Sequence, residues 1–219
     1  MNEQLAISNK GAPVIRFFAH GISVVFHPLF LPFYVIWFLI AFHPTYFSGF
    51  GDYEKGKLLF TTALNTLFFP LLSVLLMKGL GFIQSVFLHS REDRIAPYLA
   101  VMIFYFWTAW VYFKFEPQLA ALLPSFMTGI LLTSIAALLS NIYFKISMHA
   151  IGVGGLLGIF LVIMQSHTML MTWPLCLALL IAGLVCTSRL LVSDHQPREI
   201  YQGLITGMGC QFVAAMILL

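Results

Sequence analysis

Residues 146–188 read ISMHAIGVGGLLGIFLVIMQSHTMLMTWPLCLALLIAGLVCTS, 43 residues without one Asp, Glu, Lys or Arg. A helix crosses the hydrocarbon core of a bilayer in about 20 apolar residues, so this stretch is too long for one span and right for two. The natural break is Gln165-Ser166-His167, with Pro174 a few residues on. That reading decides the fold class: all-α, a polytopic membrane helix bundle.

Outward from this stretch, charge gaps place the other spans, because a charged side chain is costly at the bilayer centre. They run from Leu119 to about Tyr143, from Ile95 to Phe113, from Leu58 to about Met77, over 200–219, and from Ile22 to Phe42. This makes seven, with His27-Pro28 and Pro32 predicting a kink in the first, which could also be re-entrant. The expected organisation is an N-terminal segment with the first span (1–57) and a six-helix core (58–219). Lys78-Gly79-Leu80-Gly81 interrupts the apolar pattern after the second span. No internal repeat of useful length appears.

Composition agrees. Of 219 residues 60% are apolar and 9% charged, against roughly a quarter charged in a soluble domain. Eleven basic and eight acidic residues are too few and too scattered for a nucleic-acid surface, which excludes that class of partner. Cys176, Cys186 and Cys210 lie in apolar runs without metal-type spacing and read as small packing residues. The first apolar run is about twice as long as a signal-peptide core and is expected to stay in the mature protein.

Span parity adds what composition cannot. The clusters at 89–97, 145–149 and 188–199 are separated by two spans each and so emerge on one face. Lys10, Arg16, Lys78, Arg91, Arg94, Lys145, Arg189 and Arg198 share that face; Lys55, Lys57 and Lys114 lie on the other. The positive-inside rule would account for this without chemistry. An anion site would account for it too, because Arg91, Arg94, Lys145 and Arg189 accompany Ser147, His149 and His195.

In the third cluster, Ser188-Arg189 is followed by His195-Gln-Pro197-Arg-Glu199. Pro197 suits the first turn of a final helix, and the four-residue step sets the Glu199 carboxylate beside the His195 imidazole. One ring nitrogen is then held as a donor and the other left to attack. Arg189 supplies a bidentate grip on phosphate oxygens, and the helix start offers backbone N–H groups to an anion. Lys145-Ile-Ser147-Met-His149 opens the fifth span in a similar way, with Ser147 as a candidate N-cap. Two histidines, one backed by a carboxylate, with several guanidinium groups suit phosphoryl transfer through a phosphohistidine without a metal or other cofactor.

These residues resemble the type 2 phosphatidic acid phosphatase superfamily, whose motifs are Lys-x6-Arg-Pro, Pro-Ser-Gly-His and Ser-Arg-x5-His-x3-Asp. The third is matched at Ser188, Arg189 and His195, with Glu199 in place of Asp. The second keeps Ser147 and His149 but has Ile146 and Met148 for Pro and Gly. The first keeps Arg94 with a displaced Pro97 and has Phe87 for Lys, where Arg91 or Lys145 would have to substitute. The resemblance covers about 58–219. It implies His195 as nucleophile, Glu199 as its orienting carboxylate, His149 as general acid, and Arg189, Ser147 and Arg94 as phosphate ligands. It further implies a lipid phosphate or polyprenyl pyrophosphate substrate reached from the bilayer, in a multi-pass protein expected in the bacterial inner (plasma) membrane.

Rival readings are a catalytically silent relative that binds anionic headgroups or acts as a scaffold and, with less support, a small-solute transporter. Oligomeric state is not legible. His20, His27, His43, His89 and His167 read as packing or interfacial residues outside the site. Gly152, Gly154, Gly155 and Gly158 read as helix-packing positions rather than a phosphate loop, and Trp37, Trp107, Trp110 and Trp173 as lipid-facing or interfacial. A metal site at His149, Asp194, His195 and Glu199 lacks the usual ligand spacing.

Overall fold

A computed structural model describes residues 13–43, 45–85, 91–114, 121–143, 146–166, 168–192 and 195–219. Among these, all regular structure is helical. Two short helices, α1 (Pro13–Val25) and α2 (Leu31–Ala41), precede α3 (Asp52–Gly79), α4 (Arg91–Lys114), α5 (Leu122–Tyr143), α6 (Met148–Ser166), α7 (Thr168–Val192) and α8 (Pro197–Leu218). The last six are long and apolar enough to cross a membrane.

Surface and interior are inverted relative to a soluble protein. Phe17, Leu76, Ile103, Met169 and all four tryptophans are exposed, Trp173 at 84%, while Thr62, Thr66, Ser125, Asn141 and Gln211 are buried. Water would penalise that distribution and lipid favours it, so the chain is a multi-pass helical membrane bundle. Cys176, expected among the packing residues, lies on the exposed surface.

The expected first span differs. Residues 22–42 hold the end of α1, a break around His27–Phe30, and α2 of 11 residues, about 16 Å at 1.5 Å per residue, against a hydrocarbon core of about 30 Å. Pro28 and Pro32 explain the break, since each lacks an N–H and crowds the preceding turn. The described chain therefore carries six full-length apolar helices, with α1 packed on α7, and α2 on α3, α5 and α6.

Local chemistry sets the other boundaries. Residues Leu64–Phe68 of α3 widen into a π turn next to Pro70, whose missing N–H removes a regular i→i−4 bond. The helix then stops at Gly81. Its φ of +80° lets the Phe82 N–H reach Met77 O at 2.9 Å and the Gly81 N–H reach Lys78 O at 3.2 Å, a Schellman ending that a side-chain-bearing residue adopts only with strain.

The tightest seam joins α6 and α8, which run parallel. A Cβ on Gly154 would lie 2.2 Å from Leu204 O, one on Gly207 2.0 Å from Ile151 O, and one on Gly158 2.8 Å from the Gln211 Cβ. Only glycine permits this approach, the usual device for helix association in lipid, where no hydrophobic force drives helices together. In consequence the two N-termini stand side by side, with the Ser147 N–H donating to Glu199 O at 3.4 Å.

Candidate active site

The α8 N-terminus is built from its own sequence. Glu199 is the third residue of the helix, where a Glu side chain folds back on the cap, and its Oε2 accepts the Gln196 N–H at 3.2 Å. His195 precedes the cap residue, so the same oxygen also accepts His195 Nδ1–H, at 2.8 Å. Glu has the length to serve both partners from that position. The bond fixes the tautomer that leaves Nε2 with a lone pair. Both side chains are nearly enclosed, 10% and 13% exposed.

His195 lies on the rim of a cavity of about 300 Å³ inside the bundle, whose lining also includes Arg94 of α4, Arg189 of α7, His149 of α6 and His27. Four helices converge there because α6 and α8 begin at the same end of the bundle, α7 ends there and α4 begins there. Two guanidinium groups and three imidazoles therefore meet in one partly enclosed, mostly apolar volume, a set of N–H donors of the kind that suits an anion.

His149 has a defined role for one nitrogen. Its Nε2 lies 3.0 Å from Ser23 O of α1, and because a carbonyl only accepts, Nε2–H donates. In the neutral ring Nδ1 is then a lone-pair acceptor. The ring meets His27 edge to face, with centroids 5.3 Å apart.

The structure thus brings His149, His195, Arg189 and Arg94 to one cavity, with Glu199 behind His195. Ser147 is not part of the lining: it is 0% exposed against the α6–α8 seam, and its Oγ has no hydrogen-bond partner among the described residues. Its carbonyl takes the N-cap role, accepting Ile151 N–H at 3.0 Å, but its hydroxyl caps nothing. The Arg91 side chain, Lys145, Phe87 and Asp194 lie outside the described residues.

His27, set aside in the sequence, is part of the cavity. The Leu29 N–H donates to its Nδ1 at 3.3 Å, so the break that ends α1 also orients this ring. Burial first, and the Arg189 charge second, hold the His27 pKa below its ordinary value, which favours the neutral form. The only signal for it in the sequence was the His-Pro step inside an apolar run. Among the described residues no three His, Cys, Asp or Glu side chains are grouped so as to hold a metal ion.

Comparison with models of known protein families, with curated proteins and with solved structures gives no match to this chain.

Proposed function

We propose that the protein is an integral membrane phosphatase that hydrolyses a lipid-linked phosphate or pyrophosphate through a phosphohistidine on His195. The observation that carries this reading is the 2.8 Å bond from His195 Nδ1 to Glu199, at the rim of a cavity that Arg94 and Arg189 also line. In this mechanism His195 Nε2 attacks phosphorus and the bond to the leaving oxygen breaks. The guanidinium groups balance charge on the equatorial oxygens, and water then cleaves the P–N bond to release inorganic phosphate. His149 protonates the leaving oxygen from Nδ1, which requires the doubly protonated ring because Nε2–H is engaged with Ser23 O. Helices α3 to α8 form the phosphatase-like core in this account, α1 and α2 are an addition to it, and the location is the bacterial inner membrane.

One observation favours a second reading, a silent binder of anionic headgroups. The neutral His149 ring offers the cavity a lone pair and no proton, and the residues flanking Ser147 depart from the motif of the superfamily it resembles.

Release of inorganic phosphate by purified protein in nanodiscs, with phosphatidic acid, phosphatidylglycerol phosphate and polyprenyl pyrophosphate, separates the two. The phosphatase reading expects turnover of at least one, and Arg189→Lys to lower kcat beyond any change in affinity, since an ammonium cannot copy the planar two-point grip. Saturable binding with no release from all three would overturn it in favour of the binder.

A further inference from the structure

The cavity does not end at its charged rim. Along α8 it reaches Gln211, 14 residues beyond Pro197 and so about 21 Å along the helix; on α4 it extends from Arg94 to Tyr105, about 16 Å. Between these ends the wall is mostly apolar, with Val35 of α2, Val101 of α4, Ile130 of α5 and Leu156 of α6 beside Thr133 and Ser134 of α5. The lining thus passes from charged residues at one end to a mostly apolar stretch within the partly enclosed interior of the bundle. A volume of about 300 Å³ is on the order of ten times a water's share of the liquid, room for an alkyl chain of about ten carbons.

The inner end is polar. Gln211 is 1% exposed, its Nε2 donates to Phe126 O at 3.4 Å, and its Oε1 has no hydrogen-bond partner among the described residues. It packs into the space over Gly129, where a Cβ would lie 2.4 Å from Oε1, so the amide is fixed in place as a floor. Gly155 lies midway, six residues or about 9 Å beyond His149 on α6. It lines the cavity, and a Cβ there would meet nothing closer than Gln211 Nε2 at 3.9 Å.

From this geometry we infer that the ligand is a single-chain amphiphile whose tail threads the bundle from the Arg94–Arg189 rim to a floor at Gln211, past Gly155. The inference rests on the phosphate reading of the rim, and it deepens that reading by assigning the tail a place inside the protein.

The test is a single-chain alkyl phosphonate, about ten carbons long to match the volume above, with a photoreactive diazirine at its chain end. It is added to the full-length protein in nanodiscs, and labelled residues are mapped by mass spectrometry. Labelling is expected at the floor, on Phe126, Tyr105 or Gln211, and is expected to fall to background when excess butylphosphonate occupies the rim. Gly155→Leu should abolish floor labelling. Gly155→Ala, whose methyl would meet nothing closer than ordinary contact, should keep the wild-type melting temperature and weaken floor labelling. Label confined to outward residues such as Ile103 or Trp107, while butylphosphonate still binds, would overturn the tail assignment and leave the phosphate reading standing. Floor labelling that butylphosphonate does not displace would instead remove the phosphate reading and leave a chain-binding cavity. Unchanged floor labelling in folded Gly155→Leu would overturn the threaded path.

Discussion

Gly154 and Gly155 are neighbours on α6, yet they face different parts of the molecule. A methyl on Gly154 would strike the backbone of α8 at 2.2 Å, whereas a methyl on Gly155, beside the cavity, would make only ordinary contact, with Gln211 Nε2 at 3.9 Å and Gly207 O at 4.0 Å. The first glycine lets two helices touch; the second leaves room beside them. The contrast extends to whole faces. The seam face of α6, with Gly154 and Gly158, holds α8 so that the His149 and His195 ends coincide. The cavity face, with Gly152 and Gly155, borders the cavity that also holds the buried Gln211 oxygen of α8, which has no partner among the described residues. A small residue in a membrane helix is therefore not by itself evidence of tight packing, and the tight seam is what permits a loose cavity next to it.

Substitutions can break that contrast. Gly207→Ala and Gly154→Ala should have the largest effect, because the struck atoms are backbone carbonyls that cannot rotate away. The cost should meet or exceed the roughly 1–3 kcal/mol typical of overpacking, with loss of folded yield and of ligand binding together. Size-exclusion profiles and melting curves check this, and a normally folded Gly207→Ala would dissolve the seam as described. Gly152→Ala should cost less, since its nearest neighbour is the far end of a side chain, Leu31 Cδ1 at 2.9 Å.

Glu199→Gln sharpens the other side. Gln also caps a helix from the third position, so the melting temperature should hardly move. The His195 tautomer loses its carboxylate, and phosphate release should fall by on the order of 10²–10⁴, the range expected when an orienting carboxylate becomes an amide. An equal loss of stability and rate would assign Glu199 to the cap alone.

How much of this was legible depends on how local the physics is. The six long helices follow from charge gaps, because the cost of a charge in lipid acts on each residue separately; most of their ends fall within a few residues of charged positions, while the α6–α7 junction follows the polar Gln165-Ser166-His167 break instead. The His195–Glu199 pair was legible for the same reason: four residues on one helix start fix it. His27 was not, because its place depends on α1 packing against α7 so that Ser23 O meets the His149 ring, a contact spanning more than 120 positions. Gln211 was hidden likewise. A lone amide in an apolar run gives no sign that Gly129, on another helix, makes room for it. Ser147 shows the reverse case, a residue that matches a motif but is fully buried where α6 and α8 begin, outside the cavity lining.

The smallest expected effect is on pH. His27 is held neutral by burial, so the stability it lends is fully present above its unfolded value near 6.5 and declines as pH falls below that. His27→Gln should flatten the melting temperature between about pH 7 and 5 relative to wild type, within that range of histidine titration. An unchanged slope would place the acid sensitivity elsewhere.

The most direct measurement is acid-free rapid quenching of purified protein turning over a lipid phosphate labelled with radioactive phosphorus, followed by peptide mapping. A base-stable, acid-labile phosphoryl group is expected on His195, absent from His195→Ala together with loss of phosphate release by orders of magnitude. Phosphate release at the wild-type rate by His195→Ala, or a phosphoryl group carried by a different residue, would contradict it.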